Sequence, residues 1–185
     1  MPVSIDDALA LVRAFHASPE EEKSRELIVN LLVLTSAPFS RDQFHPGHIT
    51  CTAVVVHPAG DRVLLMHHHR HQRWLLPGGH VEPDDATLAD AARREAIEET
   101  AVAIAATAPI LAGMDVHAIP ARKGEPYHLH HDLIFGFTAE SDRFAITDEA
   151  PRVTWCGAGE FARYDLAPSI IRAARRALGI FAKTS

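Results

Sequence analysis

The chain has 185 residues, 47% of them hydrophobic and 23% charged, with a formal net charge of -6. That length and balance describe a soluble globular protein of one sizeable domain, with room for a small appended element. Acidity without any Lys/Arg block argues against a nucleic-acid groove, and no run approaches the roughly 18 apolar residues of a membrane span.

The first residues, "MPVSIDDALALVRAF", lack a basic region followed by an apolar one, so they do not read as a secretory signal. The two cysteines, Cys51 and Cys156, have no metal-ligand spacing and read as reduced structural thiols, which points to a cytoplasmic protein. Residues 4–16 carry a short helical pattern. "SPEEEKSRELIVNLLVL" predicts a second helix, with Ser18 as N-cap, Pro19 at its first position and acids in its first turn. The breaker-rich "SAPFSRDQFHPGH" then separates a helical arm, about residues 1–40, from a domain covering 41–185.

From residue 48 the pattern changes. "HITCTAVVVHP" is a buried strand by its β-branched content, "AGD" a turn and "RVLLMHH" the returning strand of a hairpin. A long loop with two adjacent glycines follows, "HHRHQRWLLPGGHVEPDD". "ATLADAARREAIEETAV" is helical, and Thr87 with Asp90 resembles a capping box. "PILAGMDVHAI", "YHLHHDLIFGFTA" and "RVTWCG" read as strands, and "APSIIRAARRALGIFA" as a closing amphipathic helix. The order of elements predicts an α/β sandwich with a mixed β-sheet plus the N-terminal helical arm.

The central helix carries the chemistry. Positions 88, 91, 92, 95, 98 and 99 share one stripe; its first half is Leu88, Ala91 and Ala92, and its second half is Glu95, Glu98 and Glu99. Like charges at these spacings repel, and acids in the last turn oppose the helix dipole. A hard divalent cation turns these costs into ligation, because Mg2+ takes carboxylate oxygens and shares phosphate oxygens with them. Glycines just ahead of the helix permit close backbone approach and expose carbonyls that can ligate such a cation.

At these residues, "GGHVEPDDATLADAARREAIEETAV" resembles the signature of the Nudix hydrolase family. Arg94, Glu95, Glu98 and Glu99 fall on its core, with Ala96 and Val102 at its apolar positions. "RWLLPGG" and "RVTWCGAGEF" also resemble family features, so the likeness covers about residues 48–165. Three departures stand out: one extra residue, placed most simply in the "PDDA" turn; Ala86 where a Glu is expected, unless Asp84 or Asp85 replaces it; and Ala101 where the signature closes on Gly. The resemblance implies a Nudix-type α/β/α sandwich. It also implies hydrolysis, with Mg2+ or Mn2+, of the diphosphate bond in a nucleoside diphosphate linked to another moiety X. Glu95, Glu98 and Glu99 would be metal ligands with a carbonyl of Gly78 or Gly79, and Arg94 would orient Glu98 or a neighbouring carboxylate. The base would be one of the three Glu or a carboxylate from another loop. The alternative on the same fold is a nucleotide- or ligand-binding module impaired in catalysis. A diphosphate isomerase is disfavoured because neither cysteine stands in the motif.

Alternation puts His128, His130 and Asp132 on one strand face, and Asp115 and His117 on another. They would line a polar pocket or form the solvent face of an edge strand, and Asp132 is a candidate for an extra ligand or the base. Arg73 could contact phosphate, and Glu82 belongs to the same substrate side. His67, His68 and His69 alternate in direction with no acid beside them in sequence, which disfavours a dedicated metal cage. The partner expected is a small phosphorylated compound, and the helical arm could cap the pocket or build a homodimer interface.

Overall fold

The computed structural model describes residues 3–122 and 124–182. The helices are α1 (Ile5–Ala14), α2 (Glu22–Leu34), α3 (Leu88–Thr100) and α4 (Pro168–Phe181), with a 3-10 turn at Ala158–Arg163. The strands are β1 (Gly47–Val56), β2 (Arg62–His68), β3 (Arg73–Leu75), β4 (Gly78–His80), β5 (Ile110–Ile119), β6 (His128–Thr138) and β7 (Arg152–Gly157). Among the described residues the strands form one mixed sheet in the order β3-β2-β1-β6-β5, with β4 paired to β1 and β7 to β2. The fold is α/β, as expected, with the two N-terminal helices ahead of it.

The chain divides into two compact units, one made of Met1–Cys51, Gly79–Ala91 and Met114–Leu133, the other of Thr52–Gly78, Ala92–Gly113 and Ile134–Ser185. In the first, α1 packs on α2 and both bury apolar stripes, Ala8 and Val12 on one and Ile28, Leu31 and Leu32 on the other. Ser4 caps α1 by accepting the Asp7 N–H at 3.0 Å. The start of α2 differs from expectation: Glu21, not Ser18, stands at the N-cap. The Ser18 carbonyl accepts the N–H groups of Glu21 and Glu22, and its own N–H donates to Glu21 Oε2 at 2.9 Å, so residues 18–21 form a separate turn. Gly47 is required where it stands. Its φ is +155° and a Cβ there would lie 1.8 Å from the Leu129 carbonyl oxygen.

In the second unit the predicted hairpin is present in register, Val56 opposite Val63, and β2 pairs antiparallel with β7 from Arg62–Gly157 to His67–Arg152. Val54, Val56, Val63, Leu65, Ile134 and Phe161 pack with Ala173, Ala174, Ala177 and Phe181 of α4. Each large side chain buried there contributes about 1.5–3 kcal/mol. The segment read as one long loop contains β3 and β4. Three-residue strands are too short to show a period and exist because β2 and β1 supply the ladder.

Candidate functional site

Helix α3 begins where Thr87 Oγ1 accepts the Asp90 N–H at 3.0 Å, as its spacing foretold. The turn ahead of it is closed on itself. Buried Asp85 accepts the Glu82 N–H at 2.7 Å and returns its own N–H to the Glu82 carbonyl at 3.1 Å. Asp85 is thus engaged in holding the turn. Along α3 the buried stripe runs Leu88, Ala91, Ala92, Ala96, Glu99 and Thr100. The carboxylates therefore differ in setting. The residue Glu99 is 4% exposed, while the Glu95 and Glu98 side chains are 16% and 58% exposed.

The second unit holds these acids together. Arg94 Nη1 donates to Glu95 Oε1 at 2.9 Å and to Glu98 Oε2 at 3.1 Å, fixing both carboxylates. The neighbouring Arg93 lies over the Phe137 ring at 5.1 Å instead. The Gly78 N–H donates to Glu99 Oε2 at 2.9 Å. The glycine backbone thus meets the cluster through a donor at Gly78, while Gly79, expected to offer a carbonyl, is the middle residue of β4.

Glu149, which the sequence did not single out, and His68, which was read as outside any dedicated metal cage, join this cluster. One ligating atom each from His68, Glu99 and Glu149 lie within 4.8 Å of one another, with His68 Nε2 3.6 Å from Glu149 Oε1. The loop carrying Glu149 is tied to the end of α3. Thr147 Oγ1 donates to the Glu99 carbonyl at 2.9 Å and the Ala145 N–H to the Thr100 carbonyl at 2.8 Å, which satisfies two orphan carbonyls of the last helical turn. The His69 N–H holds the Glu149 carbonyl at 2.8 Å. Only tertiary contact brings an acid beside the histidine run.

Burial pushes the Glu99 carboxyl up from its usual 4.5 to about 8, against the pull of the Gly78 N–H, with Glu95, Glu149 and Glu98 adding to the rise. Glu95 is raised as well, first by burial, with Arg94 opposing. A buried acid crowded by acids, answered by one neutral N–H and one shared guanidinium, is an oxygen-rich site short of positive charge. Its donor set fits a hard divalent cation.

The imidazoles gather in the first unit. His128 and His130 share a face as alternation foretold, and His117 of β5 joins them, with His128–His130 and His117–His130 ring centroids 5.2 and 5.6 Å apart. His117 Nδ1 is 3.0 Å from Asp115 Oδ2. Asp132 is drawn off by Thr50, whose Oγ1 donates to it at 3.0 Å. His48 and His80, which sequence reasoning passed over, complete the group, 5.0 Å apart by ring centroid. Burial, reinforced by neighbouring histidines, holds His80 down at about 4 and His48 below its usual value. Arg73 is exposed at the start of β3, and Glu82 is an exposed residue of the turn before α3.

The domain is α/β on a mixed sheet, with the acidic helix α3 meeting glycine backbone at Gly78. Residues 47–177 match the NUDIX domain, and the chain belongs to the Nudix hydrolase family. It is an enzyme of that class, a hydrolase acting on anhydride bonds in phosphorus-containing compounds. Similar folds occur in a NUDIX-family hydrolase from Clostridium perfringens (20% identity, 72% of this chain and 97% of that one, TM-score 0.56). Two others are the NUDIX domain of Shewanella oneidensis NrtR complexed with ADP ribose (19%, 71% and 86%, 0.54) and a C. elegans Ap4A hydrolase in a binary complex (17%, 73% and 98%, 0.54). A comparison with curated protein sequences gives no match. No helix among the described residues is long and apolar enough to cross a membrane.

Proposed function

We propose that the protein hydrolyses the diphosphate bond of a nucleoside diphosphate linked to a second moiety, using Mg2+ or Mn2+ held by Glu95, Glu98 and Glu99. The observation that carries this reading is Glu99, buried among like charges and answered by a single backbone N–H. A bound divalent ion supplies positive charge to the phosphate oxygens and lowers the pKa of water. The chain's own residues do the rest. Arg94 fixes the directions of Glu95 and Glu98, the Gly78 N–H fixes Glu99, and one carboxylate of the group takes the proton from water, with Glu149 now an eligible member. Arg73, exposed on β3, is offered as a phosphate contact. The family match begins at residue 47, and we take residues 1–40 as an arm ahead of the catalytic domain.

The ADP ribose complex and the Ap4A hydrolase among the similar folds make those two compounds the first to try. A panel of nucleotide sugars, dinucleoside polyphosphates, nucleoside triphosphates and coenzymes, each with Mg2+, is the test. Turnover of one class, abolished in both Glu98→Gln and Glu99→Gln, is expected. A compound that binds and stabilises the fold while none is hydrolysed would instead establish the ligand-binding alternative.

A further inference from the structure

The histidine group of the first unit is unrelated to the carboxylates in chemistry. His48 comes from β1, His128 and His130 from β6, and one ring nitrogen from each lies within 4.8 Å of the other two. Ring centroids are 5.1 Å apart for His48–His128 and 4.9 Å for His48–His130. Packing alone would be served as well by apolar rings, which carry no polar atoms to satisfy.

The hydrogen bonds decide which nitrogens are available. His48 Nδ1 lies 3.1 Å from the Gln43 carbonyl oxygen, and His128 Nδ1 lies 2.8 Å from the Pro126 carbonyl oxygen. A carbonyl only accepts, so both Nδ1 atoms carry the proton and both Nε2 atoms keep a lone pair. His48 Nε2 is buried with no hydrogen-bond partner among the described residues. An imidazole held through Nδ1 by a backbone oxygen, with Nε2 keeping its lone pair, is the form in which histidine ligates a metal. His117 repeats it at the edge of the group, with a carboxylate, Asp115, behind its Nδ1.

We propose that His48, His128 and His130 form a second metal site, for an imidazole-preferring divalent ion of the Zn2+ type. Neutral nitrogen donors suit Zn2+ and disfavour Mg2+, which takes oxygen. Three histidines leave a fourth position open. Tetrahedral Zn–N bonds of about 2.0–2.1 Å set ligand nitrogens about 3.3 Å apart.

The test is titration of the tag-free, chelator-treated full chain with Co2+ in excess Mg2+, followed by visible d–d absorption and by histidine ring NMR signals. One Co2+ per chain is expected, displaced by Zn2+ and indifferent to Mg2+, with ring signals shifting as the site fills. His48→Asn and His130→Asn should each weaken binding at least about 100-fold, while Glu99→Gln should bind as the wild type does. Absence of binding in excess Mg2+, or equal binding in the histidine variants, overturns the site, as does loss of binding in Glu99→Gln. Should the histidine variants fail to fold, the wild-type ring signals decide: histidine signals unmoved by stoichiometric Zn2+ refute the proposal. The hydrolysis panel stands apart from all of these readouts, so either reading can fail alone.

Discussion

Replacing Glu99 with Gln removes a titrating group without removing the acceptor for the Gly78 N–H, and its effect on stability should reverse sign with pH in metal-free protein. The Glu99 pKa is raised from 4.5 to about 8. A raised acid contributes its stability fully below the unfolded value and loses it as pH rises through the folded one. Over the 3.5 units between those values, at about 1.36 kcal/mol each, the loss reaches a ceiling of about 5 kcal/mol near pH 8. Gln avoids that loss but buries an amide NH2 group, at a cost of about 1–3 kcal/mol. In EDTA, Glu99→Gln should therefore be more stable than the wild type at pH 8, by about 2–4 kcal/mol, and no more stable at pH 5. For a chain of this size each kcal/mol moves Tm by about 2–4 °C, so differential scanning fluorimetry from pH 5 to 8 resolves the crossing. Adding Mg2+ at pH 8 should then raise Tm in the wild type and much less in the variant. Parallel pH profiles, or equal Mg2+ shifts in the two proteins, would refute the picture of a buried acid awaiting a cation.

Ala101 follows α3 with φ +52°, the conformation that glycine adopts without penalty. Ala101→Gly should stabilise the protein by about 1 kcal/mol, read as a Tm rise of about 2–4 °C. Gly47→Ala should cost about 2–4 kcal/mol, because the new Cβ meets the Leu129 carbonyl; urea denaturation measures it. Arg94→Ala should lower kcat/KM for the substrate found in the panel by about 10–100-fold, since it frees Glu95 and Glu98. Its effect on Tm should stay small, as partly exposed ion pairs contribute about 1 kcal/mol or less.

The legible part of the molecule was whatever repeats or clusters along the chain. Helical periods announced α1, α3 and α4, the β-branched run announced the β1–β2 hairpin, and three glutamates at helical spacing announced the acidic site. Alternation in "YHLHHD" correctly paired His128 with His130. Long-range partners were not legible. Glu149 reaches His68 only because Thr147 and Ala145 close the end of α3. His48 joins the imidazoles from a strand whose sequence reads as plain core. Arg94 was placed with the acids by its position in the signature, and the structure sets its neighbour Arg93 elsewhere, over the Phe137 ring. Arg94 itself reaches the Glu95 and Glu98 carboxylates. Ser18 failed as a cap because Glu21 satisfies its N–H and closes a turn first.

The most direct test of the central claim is the Mg2+ dependence of turnover, measured on the substrate found in the panel for the wild type and Glu99→Gln side by side. Saturable activation by Mg2+ in the wild type, with turnover in Glu99→Gln reduced at least about 100-fold at any Mg2+ concentration, is the result the carboxylate site predicts. Hydrolysis that persists in EDTA, or a Glu99→Gln variant as active as the wild type, would contradict it.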